Sequence, residues 1–166
     1  MAQTDYYLKI EGIQGESMVR GHENEIDVLS FSWGETQSAA LDRASSGHGT
    51  KGKVSMRDFT ITKKLDKSSP KLILACASGE RFDKATLTCF KVNPQGVLVA
   101  YFTITFSDVL LSSYDVSGGA GERLIPLEDI KLNFAKVEFE YRTQAASGVL
   151  GGPVKASWDL KLNKVV

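Results

Sequence analysis

The stretch "IKLNFAKVEFEY" (130–141) decides the fold, because it alternates apolar and polar residues with the two-residue period of a β-strand. The apolar positions of its first half are Ile130, Leu132 and Phe134, and those of its second half are Ala135, Val137, Phe139 and Tyr141. The parity therefore changes between Phe134 and Ala135. We predict a β-bulge there, because one extra residue would keep both halves facing the same core.

The same period extends over most of the chain. In "KATLTCF" (84–90) the predicted inward residues are Ala85, Leu87 and Cys89. In "VKASWDLKL" (154–162) they are Val154, Ala156, Trp158, Leu160 and Leu162. Further strands are predicted in "TDYYLKI" (4–10), "IDVLSFSW" (26–33), "KVSMRDFTIT" (53–62) and "GVLVAYFTITFSDV" (96–109), with "NPQG" (93–96) as a turn.

One helix is predicted in "SSPKLILACASGE". Ser69 is the expected N-cap, Pro70 the first helical residue and Gly79 the C-terminal stop. The apolar stripe Leu72, Ile73 and Cys76 is expected to face the core. The predicted fold is therefore mainly β, an antiparallel β-barrel or sandwich of roughly seven to nine strands with one flanking α-helix.

Bulk properties point to a single domain covering residues 1–166. Twenty basic and twenty acidic residues give a formal net charge of zero, which argues against broad capture of nucleic acid or of an anionic membrane. The longest apolar run, "VLVAYFTITF" (97–106), is too short to span a bilayer. The N-terminus lacks a basic start and a hydrophobic segment, so we expect no signal peptide. Cys76 and Cys89 are interpreted as small buried thiols, although a bridge between them stays open.

The segment "SSGHGTKGKV" (45–54) nearly spells a phosphate-binding loop. Gly47, Gly52 and Lys53 match that pattern, but Val54 replaces the hydroxyl residue that binds magnesium. A working loop of this kind leads into a helix, whereas "VSMRDFTIT" is β-rich. We therefore interpret the segment as a glycine-rich connection between two strands and not as a nucleotide site.

Other catalytic patterns are weak. His22 and His48 are the only histidines and lie far apart, in polar loops. The sequence has no Gly-x-Ser-x-Gly nucleophile elbow. Glu138 and Glu140, beside Lys136 and Arg142, are typical of a solvated strand face. We therefore predict no catalytic residue, no cofactor and no metal site, and a structural or binding protein in preference to an enzyme.

Longer stretches resemble the Hcp family, the hemolysin-coregulated proteins that form the tube of bacterial type VI secretion. The resemblance rests on "YYLKIEGIQGES", "HENEIDVLSFSWGETQ", "GHGTKGKVSMRDFTITKKLDKSSPKLILACASGE", "IKLNFAKVEFEY" and "GGPVKASWDLKLN". These stretches keep a consistent order over nearly the whole chain, and "EIDVLSFSWG" and "FTITKKLDKSSPKL" are the most specific.

The resemblance implies a β-barrel with one helix that assembles into homohexameric rings and stacks into a tube. A contracting sheath would propel the tube, a spike (VgrG-type) protein would tip it, and small effector proteins would travel in its lumen. The protein would reside in the bacterial cytoplasm before firing and then be secreted, outside or into a target cell. No nucleic acid, membrane insertion or cofactor is implied. Since the chain stops soon after its last predicted strand, we expect no C-terminal toxin domain.

Two candidate sites follow for such a ring subunit. In "DVLSFSWG", Leu29, Phe31 and Trp33 are predicted to face the core, so that Ser30 and Ser32 face the ring lumen or an outer solvated surface. The long connection 39–53 corresponds to a loop that contacts neighbouring subunits in the family. Its predicted assembly residues are Ser46, Gly47, His48, Gly49, Thr50, Lys51, Gly52 and Lys53.

An alternative function is left open by the residues themselves. A monomeric β-barrel or sandwich could serve as a binding module for a carbohydrate or small ligand. Its oligomeric state separates the two hypotheses, because a tube subunit must form closed rings whereas a binding module can stay monomeric.

Overall fold

A computed structural model describes residues 4–37, 53–121 and 125–166 of the chain. Within these residues the fold has twelve strands and one helix. The elements are β1 (Thr4–Ile10), β2 (Ile26–Val28), β3 (Ser30–Ser32), β4 (Glu35–Gln37), β5 (Val54–Met56), β6 (Phe59–Lys64), α1 (Ser69–Ser78), β7 (Arg81–Val92), β8 (Leu98–Ser117), β9 (Leu127–Asn133), β10 (Lys136–Gln144), β11 (Leu150–Asp159) and β12 (Lys164–Val165).

Antiparallel pairing closes these strands into a barrel. β1 pairs with β2 and β7, β7 pairs with β8, β8 pairs with β9, and β9 pairs with β6, which pairs with β3. Only Leu29 separates β2 from β3, so the series of paired strands closes on itself. Alternate residues of the barrel strands fill the interior, including the fully buried Leu8, Phe59, Phe106 and Ile130. The predicted fold class is confirmed.

The long strand β8 connects the barrel to an additional sheet. Its first half pairs with β7 on one edge and β10 on the other, and its second half pairs with β9. The two halves meet at Asp108, whose backbone has a φ of 54°. This left-handed conformation is uncommon for a residue other than glycine and marks the bend in the strand. The Asp108 carboxylate lies 2.7 Å from Arg81 Nη1 and 2.5 Å from Lys161 Nζ.

The predicted β-bulge at Phe134–Ala135 is wrong, although the parity change behind it is real. The chain ends β9 there and begins β10. Both strands pair with β8, but the second edge of β9 meets β6 whereas that of β10 meets β11. Phe134 and Val137 are both buried on either side of the break. The change of strand partner, and not a β-bulge, therefore keeps the apolar residues of both halves facing the core.

The strands β10, β11 and β12 form an extension that we call the wing. It continues the sheet outward from β8, beyond the strands that close the barrel. The predicted inward residues of 154–162 are therefore largely wrong. Trp158 and Leu160 are half-buried against the core, but Val154 is 66% exposed, and Ala156 and Leu162 are exposed as well.

The helix lies one residue earlier than predicted. α1 begins at Ser69, with Ser68 as the N-cap and Pro70 in the first turn. Gly79 ends it in a left-handed conformation, with φ of 67°, and its N–H donates to the Ala75 carbonyl. Leu72 and Ala75 are buried and Cys76 is half-buried, but Ile73 is exposed, so its predicted place in the core is wrong.

Candidate assembly surfaces

The outer face of β3, β6, β9 and the second half of β8 forms a surface that we call the polar wall. Ser30 lies opposite Thr62, and Ser32 lies opposite Thr60. The same rows continue into Asp129 and Lys131 of β9. Both serines are exposed. Apart from the half-buried Leu127 at the start of β9, these rows carry hydroxyl or charged side chains, so the described part of the face is mainly polar.

Hydrogen bonds within the wall satisfy several of its polar atoms. Thr62 Oγ1 donates to Asp129 Oδ1 at 2.5 Å. The Asp58 carboxylate accepts from Ser112 Oγ at 2.5 Å and from Asn133 Nδ2 at 2.9 Å. These internal bonds offset carboxylate charge by hydrogen bonding and hold the side chains close to the sheet.

Behind the wall, the core residues of 26–33 differ from those predicted. Ile26 and Val28 are buried, whereas Leu29 is 49% exposed. Phe31 and Trp33 are half-buried and pack on the core, as expected. The inward parity changes at Leu29 because the chain stops pairing with β1 there and starts pairing with β6.

Two strand edges of the wall carry no described partner. In the described ranges, β3 pairs with β6 alone. Pairing between β7 and β8 stops at Leu110, so residues 113–117 of β8 pair only with β9 among the described strands. Within the described residues, each of the two outermost strands of the wall therefore lacks a partner on one side, and we call these two edges the open edges. An open edge presents N–H and C=O groups that can pair with a strand of another chain.

An apolar groove of about 840 Å³ lies between the β4–β5 hairpin and the wing. Its apolar lining consists of Val54, Met56, Phe139, Ala156, Trp158 and Val165. Glu35, Lys155 and Lys164 bring charge to the same lining. Such a concave apolar surface with a few polar groups is typical of a binding site.

The outer side of α1 is a second apolar surface. Pro70, Ile73, Leu74 and Ala77 are all exposed, and Leu74 is 63% exposed. Their spacing of i, i+3, i+4 and i+7 places them in one stripe, which we call the outer stripe. A helix on a protein surface usually presents polar residues there, so the outer stripe is suited to contact another surface.

Comparison with known proteins gives the family. The family model for "Type VI secretion system effector, Hcp" matches residues 7–141. The chain belongs to the Hcp family. It is 41% identical over 160 residues to protein hcp1 of Pseudomonas aeruginosa, with 96% of each chain covered. The major exported protein of the same organism is 23% identical over 139 residues, which cover 81% of this chain and 78% of that protein.

Solved structures agree with this assignment. A structure of a type six secretion system protein has a TM-score of 0.90 to this chain at 30% identity, covering 99% of this chain and all of the other. The crystal structure of Hcp1 from Salmonella typhimurium has a TM-score of 0.81 at 35% identity, with both chains fully covered. The resemblance stated from sequence is confirmed, and the chain is a secreted protein of the type VI system.

The predicted assembly residues 46–52 of this Hcp chain lie outside the described residues. Lys53 is exposed and leads directly into β5. The chain after it is β structure as predicted, although the predicted strand 53–62 is divided into β5 and β6, so Lys53 does not begin the helix that a phosphate-binding loop requires. His48 is likewise outside the described residues. His22 lies with Nδ1 at 2.9 Å from Glu25 Oε2, and its ring packs edge-on against Phe90.

Other chemistry can be stated for the described residues only. In those ranges, no group of three or more His, Cys, Asp or Glu side chains is placed to hold a metal ion. No helix among them has both the length and the apolar character needed to cross a bilayer. Cys76 and Cys89 are free thiols, and burial raises the pKa of Cys89 to about 12.

Sequence reasoning missed a buried ionic cluster between the barrel and α1. Lys63 Nζ lies 2.5 Å from Glu128 Oε2 and 2.9 Å from Asp66 Oδ1, and it also donates to Ser69 Oγ at 3.3 Å. The Tyr114 hydroxyl donates to the other oxygen of Glu128, and burial together with that carboxylate raises the pKa of Tyr114. Strand parity could have revealed the pair, since Lys63 follows Phe59 and Ile61 in phase, and Glu128 precedes Ile130 and Leu132.

Proposed function

We propose that this protein is a structural subunit of the type VI secretion tube, forming hexameric rings that stack and carry small effectors in their lumen. The observation that carries the proposal is the polar wall, whose two edges have no strand partner among the described residues. A ring needs a heterologous contact, in which one side of each subunit meets a different side of the next. Two unlike open edges on one four-stranded wall meet that requirement.

Ring formation is tested by sedimentation velocity and electron microscopy of the purified chain over a wide concentration range. We expect annular particles of six subunits. A strict monomer at every concentration would contradict the proposal and favour a monomeric binding module that uses the groove.

Ser30 and Ser32 are proposed to face the lumen. Their exposure and the hydroxyl-rich rows around them support this, because a passage for folded cargo needs a surface without apolar or bulky obstacles. Replacing Ser32 by Gln should reduce co-purification of small type VI effectors with the rings and leave the rings intact. The matched control is Ser55→Gln, at an exposed strand serine of the β4–β5 hairpin. Equal effector recovery from both variants would argue against the lumen assignment.

Residues 46–53 are proposed to act as an assembly arm. The support is their composition, since Gly47, Gly49 and Gly52 permit a reach that bulkier residues would restrict, and Lys51 and Lys53 can meet a polar surface. We expect deletion of residues 44–50 to weaken ring formation or stacking. Rings and stacks of normal stability in that deletion would refute the role of the arm.

The proposed partners are the contractile sheath, a VgrG-type spike protein and small effectors. Membership of the Hcp family supports this set. The proposed route begins in the bacterial cytoplasm, before firing, and ends outside the cell or in a target cell. A strain lacking the sheath should keep the protein inside the cell, which immunoblotting of culture supernatants would measure.

A further inference from the structure

The outer stripe of α1 and the apolar groove are two unlike surfaces of one chain. We propose that the outer stripe of one copy seats in the groove of the neighbouring copy. This inference rests on the proposed ring and deepens it by naming a contact that closes each subunit junction.

The chain places each surface beside one open edge of the polar wall. α1 leads into β7 and packs on β8, whose residues 113–117 form one open edge. β4 follows β3 after Trp33 and Gly34, and β3 is the other open edge. When the β3 edge of one copy approaches the β8 edge of the next, the groove and the outer stripe approach with them.

The two surfaces also match in shape and chemistry. The outer stripe is convex and offers four apolar side chains at helical spacing, and the groove is concave and offers aliphatic, methionine and aromatic ones. An apolar helix face lying in an apolar groove is a recurring mode of recognition, with anchors at i, i+3, i+4 and i+7. Contact between the two surfaces removes the apolar side chains of both from water, which favours association.

Charge near the two surfaces is complementary. Lys67 and Lys71 flank the start of α1, and they donate to neutral oxygens of Asn24 and Gly12 at 3.1 Å, so these bonds leave their charge unneutralised. Glu35 is an exposed carboxylate in the groove lining. At the other end of the helix, Glu80 is exposed, and the groove supplies Lys164. Pairs of opposite charge at the rim set the orientation of a contact more than its strength.

The start of α1 is held firmly enough to act as an anchor. Ser69 Oγ accepts from the Asp66 backbone N–H at 3.0 Å, and both residues also contact the buried Lys63 ammonium. A helix fixed before binding loses little conformational entropy when it docks. The ionic cluster that joins the barrel to α1 therefore also fixes the position of the outer stripe.

Two exposed positions test the contact from either side: Leu74→Asp alters the outer stripe and Ala156→Asp alters the groove. Each variant alone should raise the concentration needed for ring formation by at least about thirty-fold, as loss of an interface hot spot does. Val97→Asp is the matched control, because Val97 is an exposed apolar residue of the β7–β8 turn and belongs to neither surface. Circular dichroism and thermal unfolding establish that each variant is folded.

Mixing the two variants gives a sharper result. The intact groove of one variant can accept the intact outer stripe of the other, but the remaining two surfaces are altered, so the mixture should form heterodimers and stop there. Normal rings from Leu74→Asp would overturn the inference and leave the ring proposal standing. A wild-type chain that never forms rings would overturn the ring proposal itself.

Cysteine cross-linking avoids dependence on a charged substitution. In a Cys76→Ser background, Leu74→Cys combined with Ala156→Cys should give, under mild oxidation, a ladder of covalent oligomers up to six subunits. Chains that carry only one of the two introduced cysteines, beside the buried Cys89, should show no ladder. Absence of a ladder in the double variant, under conditions where rings are seen by microscopy, would overturn the contact. Normal rings together with loss of binding to purified sheath protein in Leu74→Asp would assign the outer stripe to the sheath instead.

Discussion

Replacing Lys63 by Met should destabilise the chain more than any comparable loss of a surface ion pair. Lys63 and Glu128 are both 0% exposed, and they lie directly opposite each other in the β6–β9 register, with 2.5 Å between the ammonium and a carboxylate oxygen. Methionine would leave the Glu128 carboxylate in the interior with the Tyr114 hydroxyl as its remaining described partner. An unpaired buried charge lowers the free energy of unfolding far more than a buried ion pair does.

The expected loss is about 3–5 kcal/mol of unfolding free energy, the range measured when one partner of a buried pair is removed. For a chain of this size, each kcal/mol lowers the melting temperature by about 2–4 °C. The single variant should therefore melt about 6–20 °C lower. Lys63→Met combined with Glu128→Leu removes both charges of the pair and should recover most of the loss, since the remaining carboxylate, Asp66, still accepts hydrogen bonds from Ser68. The lost Tyr114 hydrogen bond should leave a deficit of about 1 kcal/mol.

Urea unfolding followed by tryptophan fluorescence measures these differences. Because assembly stabilises the folded chain, each variant is compared at several equal protein concentrations. The control is Lys161→Met, which breaks an exposed pair with Asp108 at 2.5 Å and should cost less than about 1 kcal/mol. A Lys63→Met variant as stable as this control would refute the reasoning, as would a double variant less stable than Lys63→Met alone.

Two further predictions concern local packing and thiol chemistry. Gly15→Ala should lower the free energy of unfolding in urea by about 1–3 kcal/mol, because the added Cβ would lie 2.3 Å from the Glu25 carbonyl oxygen. The control is Gly119→Ala, whose added Cβ meets nothing within 4 Å and should be near neutral. Equal stability of the two variants would contradict this explanation. At pH 8, Cys89 should react with a thiol reagent only when the chain unfolds, because burial raises its pKa to about 12. The half-buried Cys76 should react faster. Equally rapid labelling of both thiols would contradict this prediction.

Strand and helix positions followed closely from the sequence because they depend on local periodicity. β1, β7 and the inward set Ala85, Leu87 and Cys89 agree with the alternation, and Gly79 ends α1 as its conformational freedom predicts. Local alternation reports which residues share a face. It does not report which strand lies beside them, because pairing is a long-range property.

The errors share that cause. Val154 and Ala156 alternate like core residues, but they lie on the wing and are exposed in the described part of the chain. Lys63 and Glu128 occupy strand positions that face the core. They form an ion pair only because β6 pairs with β9; without that pairing each would be an unpaired buried charge.

By itself, the sequence determined the β-rich class, the single helix and the family, since these depend on periodicity, helix-ending residues and long specific stretches. Only the tertiary structure decided which apolar faces are core and which are exposed. Whether a face is buried depends on what lies opposite it, and chain segments distant in sequence supply that cover. The outer stripe and the groove are thus visible as candidate contacts only once the barrel and wing are assembled.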